Sequence, residues 1–153
     1  MAAAKILVVD DEPSIVKLVT ATLESRGYQV LQAHDGQEAI VEAKMHKPDL
    51  ILLDVMMPHM DGNEARKRLL ADPVTKDIPV IHLTAVGDFD KQREALADGV
   101  TDYIVKPFAP ADLAHVVGDM LDPKKREAMA RERAQKSAQL RTITDIMHRD
   151  RDK

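Results

Sequence analysis

Five short apolar runs punctuate the chain: Ile6 to Val9, Tyr28 to Leu31, Leu50 to Leu53, Val80 to Leu83 and Tyr103 to Val105. The first and third are apolar at consecutive positions rather than alternate ones, the pattern of parallel strands covered by helices on both faces. A strand of that kind cannot stand at a solvated surface, so helical segments must supply two covering layers. The intervening sequence has the period for them. Ile15, Leu18, Val19, Thr22 and Leu23 make one helical stripe, closed by Gly27 where a left-handed terminal residue is wanted. Leu113, Val116, Val117, Met120 and Leu121 repeat the spacing.

Two helix starts are legible from their caps. Asp35 with Glu38, and Asp61 with Glu64, each place a capping acid three residues before a Glu that can reach back. A further helix is expected over Asp90 to Asp98, ended by Gly99, on the weaker apolar side of Ala95, Leu96 and Ala97. Strands alternating with helices predict an α/β fold with a doubly wound, five-stranded parallel sheet.

At 153 residues the chain has room for one domain and some length beyond it, single domains commonly running to about 100–200 residues. No apolar run approaches the roughly 20 residues of a membrane helix, so membrane insertion is not expected. Met1 to Lys5 leads straight into Ile6 to Val9, too short for a signal peptide and followed by acids. The absence of cysteine excludes disulfides, thiolate zinc sites and thiol catalysis. It fits a reducing, cytoplasmic location. The net charge of -4 hides a split: residues 1–121 carry 12 Lys+Arg against 20 Asp+Glu, and residues 122–153 carry 10 against 6. That shift, with Pro123 after Asp122, places a boundary between a domain over 1–121 and a charged, mostly helical extension over 122–153.

In open parallel sheets ligands bind beyond the carboxyl ends of the strands, where the strand order reverses. The polar residues that interrupt the apolar runs fall there: Asp10 and Asp11 after the first, Asp54 after the third, Thr84 after the fourth, Lys106 after the fifth. Taken alone, Asp10 reads as a helix cap, Lys106 as a solvated loop residue and Thr84 as a strand residue. Asp54 directly follows Leu50-Ile51-Leu52-Leu53, where an unpaired carboxylate is costly, and so reads as functional. Three gathered carboxylates repel one another unless a cation neutralises them. Magnesium suits them, being an oxygen-seeking ion held by one or two carboxylates plus phosphate and water. None of His34, His46, His59, His82, His115 and His148 has a helical ligand spacing to another, so they are read as surface or core residues.

Val8-Val9-Asp10-Asp11-Glu12-Pro13, Leu52-Leu53-Asp54-Val55-Met56-Met57-Pro58-His59-Met60-Asp61-Gly62, Leu83-Thr84-Ala85 and Tyr103-Ile104-Val105-Lys106-Pro107-Phe108 resemble the motifs of the two-component receiver family, in the family's order and spacing, over roughly residues 4–121. The resemblance implies a flavodoxin-like sheet of strand order 2-1-3-4-5. It further implies that a histidine kinase or phosphotransfer protein presents a phosphohistidine and that Asp54 takes the phosphoryl group. Asp11, Asp54 and the backbone carbonyl of Met56 would ligate magnesium, with Asp10 acting chiefly through a bound water. Lys106 would pair with a phosphoryl oxygen, Thr84 would turn to the phosphoryl group beside the small Ala85, and Tyr103 would swing inward. The Lys106-Pro107 bond would be cis. The output face would be that of the fourth helix, fifth strand and fifth helix, offered to a downstream protein partner or a second copy.

The chain departs from transcription-factor receivers that pair through arginines in the last helix, since Ala111 to Leu121 contains none. Nothing after Leu121 is long enough for a winged helix or an enzymatic output domain. The tail reads first as a solvated helix. Its stripe of Leu140, Ile143 and Met147 offers a second reading, dimerisation or partner docking. Nucleic-acid binding is not expected of it, because its excess charge is modest and it has no Tyr, Phe or Trp for stacking. Two alternatives remain: a receiver with a linker to an absent output domain, and an aspartyl-phosphate phosphohydrolase. The second is disfavoured, because such enzymes carry an acid two residues after the nucleophile and that place is Met56.

Overall fold

The computed structural model describes residues 3–85, 102–128, 131–132 and 134–135. The elements run β1 (Lys5–Val9), α1 (Pro13–Glu24), β2 (Gln29–Ala33), α2 (Gly36–His46), β3 (Leu50–Asp54), α3 (Gly62–Ala71), β4 (Val80–Ala85), β5 (Asp102–Lys106) and α4 (Pro110–Leu121). All five strands pair in parallel in the order β2-β1-β3-β4-β5, as expected. The helix anticipated over Asp90 to Asp98 and the stripe of Leu140, Ile143 and Met147 lie outside the described residues.

Why the central strands read as unbroken apolar runs is visible in the two layers they separate. Ile6, Val8, Leu50, Leu52, Ile81 and Leu83 pack with Val19 and Leu23 of α1 and Leu113, Val117 and Met120 of α4. The alternate residues Leu7, Val9, Ile51, Leu53 and Val80 pack with Ala39 and Ala43 of α2 and Ala65 and Leu69 of α3. Residues Ile6 to Val9 and Leu50 to Leu53, pointing by turns to the two covered faces, are therefore all apolar, whereas β4 carries the buried His82 between Ile81 and Leu83. β2, at the sheet edge, buries fully only Ala33 among its own residues, and its polar Gln29 and Gln32 fit that place.

Helix starts follow their caps. Asp35 accepts from the Glu38 amide at 2.7 Å, while Glu38 reaches back to the His34 amide at 3.2 Å. Asp61 accepts from the Glu64 amide at 2.8 Å, and the Glu64 carboxylate also takes Arg68 Nε at 3.1 Å in an i,i+4 pair. Gly27 closes α1 with a φ of +90°. The buried stripe of α1 is Val16, Val19 and Leu23, with Ile15 partly buried. Leu18, assigned to that stripe from its spacing, is 41% exposed. The contact is narrower than the period allowed, centring on Val19 and leaving Leu18 on the outer edge.

α4 stops at Leu121, and residues 123–128 are again helical. The Asp122 carboxylate accepts from the Lys124 amide at 3.0 Å, with Pro123 at the first helical position. This is a fresh helix start rather than a continuation.

Candidate functional site

The strand register brings the polar residues together. Val9 lies beside Leu53, so Asp10, one residue past β1, stands next to Asp54. Asp54 lies beside Leu83, Thr84 beside Val105 and Ala85 beside Lys106. The carboxyl ends of four strands thus meet on one rim of the sheet, where β1 and β3 adjoin and the strand order reverses.

Asp10 is fully buried and Asp54 is 4% exposed, whereas Asp11 is open to solvent. One carboxylate oxygen from each lies within 4.8 Å of the others. Asp10 uses both of its oxygens: Oδ1 accepts from the Glu12 amide at 2.9 Å, and Oδ2 takes Lys106 Nζ at 2.6 Å. Asp10 is not the N-cap of α1, which is Glu12 with no side-chain cap bond; its Oδ1 instead closes a local turn onto the Glu12 amide while Oδ2 faces the cluster. Lys106 Nζ also lies 3.5 Å from Asp54 Oδ1, which accepts from the Met56 amide at 3.3 Å. The Lys106-Pro107 peptide is cis.

Burial is the largest influence on the Asp54 carboxyl, and with the neighbouring Asp10 charge it outweighs Lys106 and the Met56 amide, raising the pKa to about 7. A hydrogen bond with Asp11 also favours the protonated form. For Lys106 burial acts downward, yet the Asp10 hydrogen bond and the Asp54 charge prevail and raise its pKa. Both directions describe a cluster with more negative charge than one ammonium neutralises. The donor set fits a hard divalent cation, because all three acids present oxygen and the exposed Asp11 leaves a side open to a hydrated ion.

A proton and a cation compete for Asp54, which gives a signed expectation. Magnesium affinity should rise with pH up to about 7 and fall by roughly tenfold per unit below it. Calorimetry at pH 6 in two buffers of different ionisation enthalpy should show close to one proton released per ion. Affinity independent of pH between about 5.5 and 8 would contradict the raised pKa.

Thr84 is buried, and its hydroxyl donates to the Ala85 carbonyl across 3.5 Å, the long limit of a hydrogen bond. Ala85 is exposed at the end of β4, and Tyr103 is half-buried on β5. Met56 is 54% exposed and donates its amide to Asp54. The sequence reading gave Gly62 no role. An ideal Cβ there would lie 2.3 Å from the Asp54 carbonyl oxygen, and the Gly62 amide donates to Val55 O at 2.8 Å. A glycine directly after a capping Asp, at the mouth of the acidic cluster, was the available signal.

Residues 6–118 match the family model described as the response regulator receiver domain. The chain is 45% identical over 113 residues to the phosphate regulon transcriptional regulatory protein PhoB of Pseudomonas aeruginosa, a match covering 74% of this chain and 49% of that one. It spans about half the length of the curated relatives it matches. Among solved structures, the chemotaxis protein CheY4 of Vibrio cholerae shares 39% identity at a TM-score of 0.72, over 76% of this chain and 98% of that one. The receiver domain of a Pseudomonas aeruginosa sensor histidine kinase, with a magnesium ion coordinated in its active site cleft, shares 32% identity at a TM-score of 0.73, over 78% and 98%.

Proposed function

Because this chain belongs to the response regulator receiver domain family of two-component systems, we propose that Asp54 accepts a phosphoryl group from a histidine kinase or phosphotransfer protein, with magnesium, and that the resulting change of shape controls a protein partner. The observation that carries this reading is the buried Asp54 carboxylate at the end of β3, set beside Asp10 and faced by Lys106. No covalent machinery beyond a nucleophile and charge stabilisation is required for such a transfer.

An oxygen of ionised Asp54 forms the new P–O bond as the P–N bond to the donor imidazole breaks, its electron pair leaving with the nitrogen. When bound, magnesium supplies positive charge to the phosphoryl oxygens. Asp10, Asp11, Asp54 and the Met56 carbonyl are the groups that would hold it. Lys106 Nζ, now shared between Asp10 and Asp54, is placed to follow the added charge onto a phosphoryl oxygen. Thr84, whose hydroxyl makes only a long contact among the described residues, can turn inward at little cost, and Tyr103 follows into the released space. The site so read is a signalling acceptor over residues 1–121, with 122–153 as its extension, acting in the cytoplasm. No helix among the described residues is long and apolar enough to cross a membrane.

The relatives' names favour one second reading. PhoB is a transcriptional regulatory protein and this chain covers 49% of it, so the chain can equally be the receiver and linker of a longer regulator. The expectation against nucleic acid rests on the composition of residues 122–153 alone. Incubation with a small phosphodonor and magnesium tests the acceptor reading: label should enter the wild type in an acid-stable, base-labile form. Rapid multiple turnover with free phosphate released would instead favour the phosphohydrolase. Equal labelling of Asp54→Asn would reject Asp54 as the acceptor.

A further inference from the structure

Helix α3 buries an amide that no group among the described residues satisfies. Asn63 is 1% exposed, and among the described residues neither its Oδ1 nor its Nδ2 has a hydrogen-bond partner. Buried amides are paired with few exceptions, and an orphan costs free energy in the conformation that holds it. Leucine would fill such a position without that cost.

The placement of Asn63 ties it to the reacting end of the sheet. α3 returns antiparallel to the strands, with Arg66 and Leu70 lining one open cavity with Ile78, Pro79 and Val80 at the start of β4. Asn63 continues that flank, seven residues before Leu70 and so about 10 Å nearer the carboxyl ends. Thr84 lies about 13 Å beyond Val80 along β4. Asn63 therefore stands near the level of Thr84. Val80 faces α3, whereas Ile81 and Leu83 face α1 and α4, so strand alternation turns Thr84 towards α3. Ile104 faces α1 and α4, which turns Tyr103 the same way as Thr84. One residue before Asn63, Gly62 is in backbone contact with the acceptor strand through Val55 O at 2.8 Å.

We propose that Asn63 is a positioning residue of the switch. In the arrangement with Thr84 on Ala85 and Lys106 on Asp10, its carboxamide is without a partner among the described residues. It gains hydrogen bonds when Thr84 turns to the phosphoryl group. A group satisfied in only one of two conformations biases the equilibrium towards that one, so Asn63 raises the population of the phosphoryl-loaded form. The inference rests on Asp54 as the acceptor.

The test is a thermodynamic cycle with beryllofluoride and magnesium, a phosphoryl analogue that adds reversibly to an aspartate. Melting midpoints are measured for the wild type, Asn63→Leu and Asn63→Ala, each with magnesium alone and with both. Asn63→Leu should melt higher than the wild type with magnesium alone, while its rise on adding beryllofluoride shrinks by half or more. Its apparent affinity for beryllofluoride should fall about tenfold, the scale of a modest coupling between sites. Asn63→Ala, which leaves a void, should melt lower throughout yet show the same shrinkage, separating the switch from packing. Equal beryllofluoride-induced rises in all three proteins would overturn the role of Asn63 while leaving Asp54 in place. A wild type that does not respond at all would overturn the acceptor reading, and this inference with it.

Discussion

Asp54→Asn is expected to lose phosphoryl uptake by about a thousandfold or more while melting at a higher temperature than the wild type in magnesium-free buffer above pH 7. The first effect follows from chemistry, since an amide oxygen is a poor nucleophile and carries no charge for a cation. The second follows from burial. Asp54 has an ordinary pKa of 3.8 when unfolded and about 7 when folded. A carboxyl raised on folding contributes stability while it is protonated and loses that contribution as pH climbs from about 4 through about 7. The wild type should therefore weaken over that window and the Asn variant should not. The raised pKa sets a ceiling of about 4 kcal/mol, and unmade hydrogen bonds of the new amide reduce the net gain to roughly 1–3 kcal/mol. That is several degrees in melting temperature, measurable by circular dichroism at pH 5 and pH 8. Magnesium should narrow the difference by binding only the folded, ionised wild type. An Asn variant less stable than the wild type at pH 8 without magnesium would mean that the buried charge is fully compensated.

Gly62→Ala should fail for a steric reason. The added Cβ would meet the Asp54 carbonyl oxygen at 2.3 Å, Val55 Cα at 2.8 Å and the Asp54 carbonyl carbon at 3.0 Å, all backbone atoms. None can rotate away, so either α3 lifts off or the end of β3 shifts. The expected cost is about 2–4 kcal/mol. Phosphoryl uptake should fall on the order of a hundredfold in the fraction that folds, because a displacement near 1 Å misplaces the acceptor. Gly36→Ala is the control. Its Cβ would meet Met60 Sδ at 2.9 Å and Cγ at 3.0 Å, which can swing aside, and Met60 Cβ at 3.1 Å, which need give only slightly. That change should stay within about 1 kcal/mol. Chemical denaturation of both variants, with the label measured on the folded protein, tests the pair. Equal stability of Gly62→Ala and the wild type would contradict the close packing of α3 on β3.

The sheet was legible in the sequence because burial on both faces forces unbroken apolar runs, and Ile6 to Val9 and Leu50 to Leu53 have no other economical use. Asp10, Asp11, Asp54 and Lys106 were legible for the complementary reason: charged residues that end such runs stand at the rim where parallel strands open. Pairwise geometry was not. Nothing in the order of residues says that Lys106 Nζ prefers Asp10 at 2.6 Å to Asp54 at 3.5 Å, a choice settled by register and side-chain reach. The exposure of Leu18 was hidden because spacing gives a helix face but not the width of its contact. Gly62 and Asn63 escaped notice for a related reason. What matters at Gly62 is the backbone of Asp54 and Val55 across the fold, Asn63 is distinguished only by its burial, and in a helix pattern a small residue and a polar one both look like surface.

The most direct measurement locates the phosphoryl group chemically. Protein treated with a small phosphodonor and magnesium is reduced with borohydride, which converts an aspartyl phosphate to homoserine, then digested and sequenced by mass spectrometry. Homoserine at position 54, absent without donor or without magnesium, is the predicted result. Homoserine at Asp10 or Asp11 instead, or label resident on a serine, threonine or histidine, would contradict it.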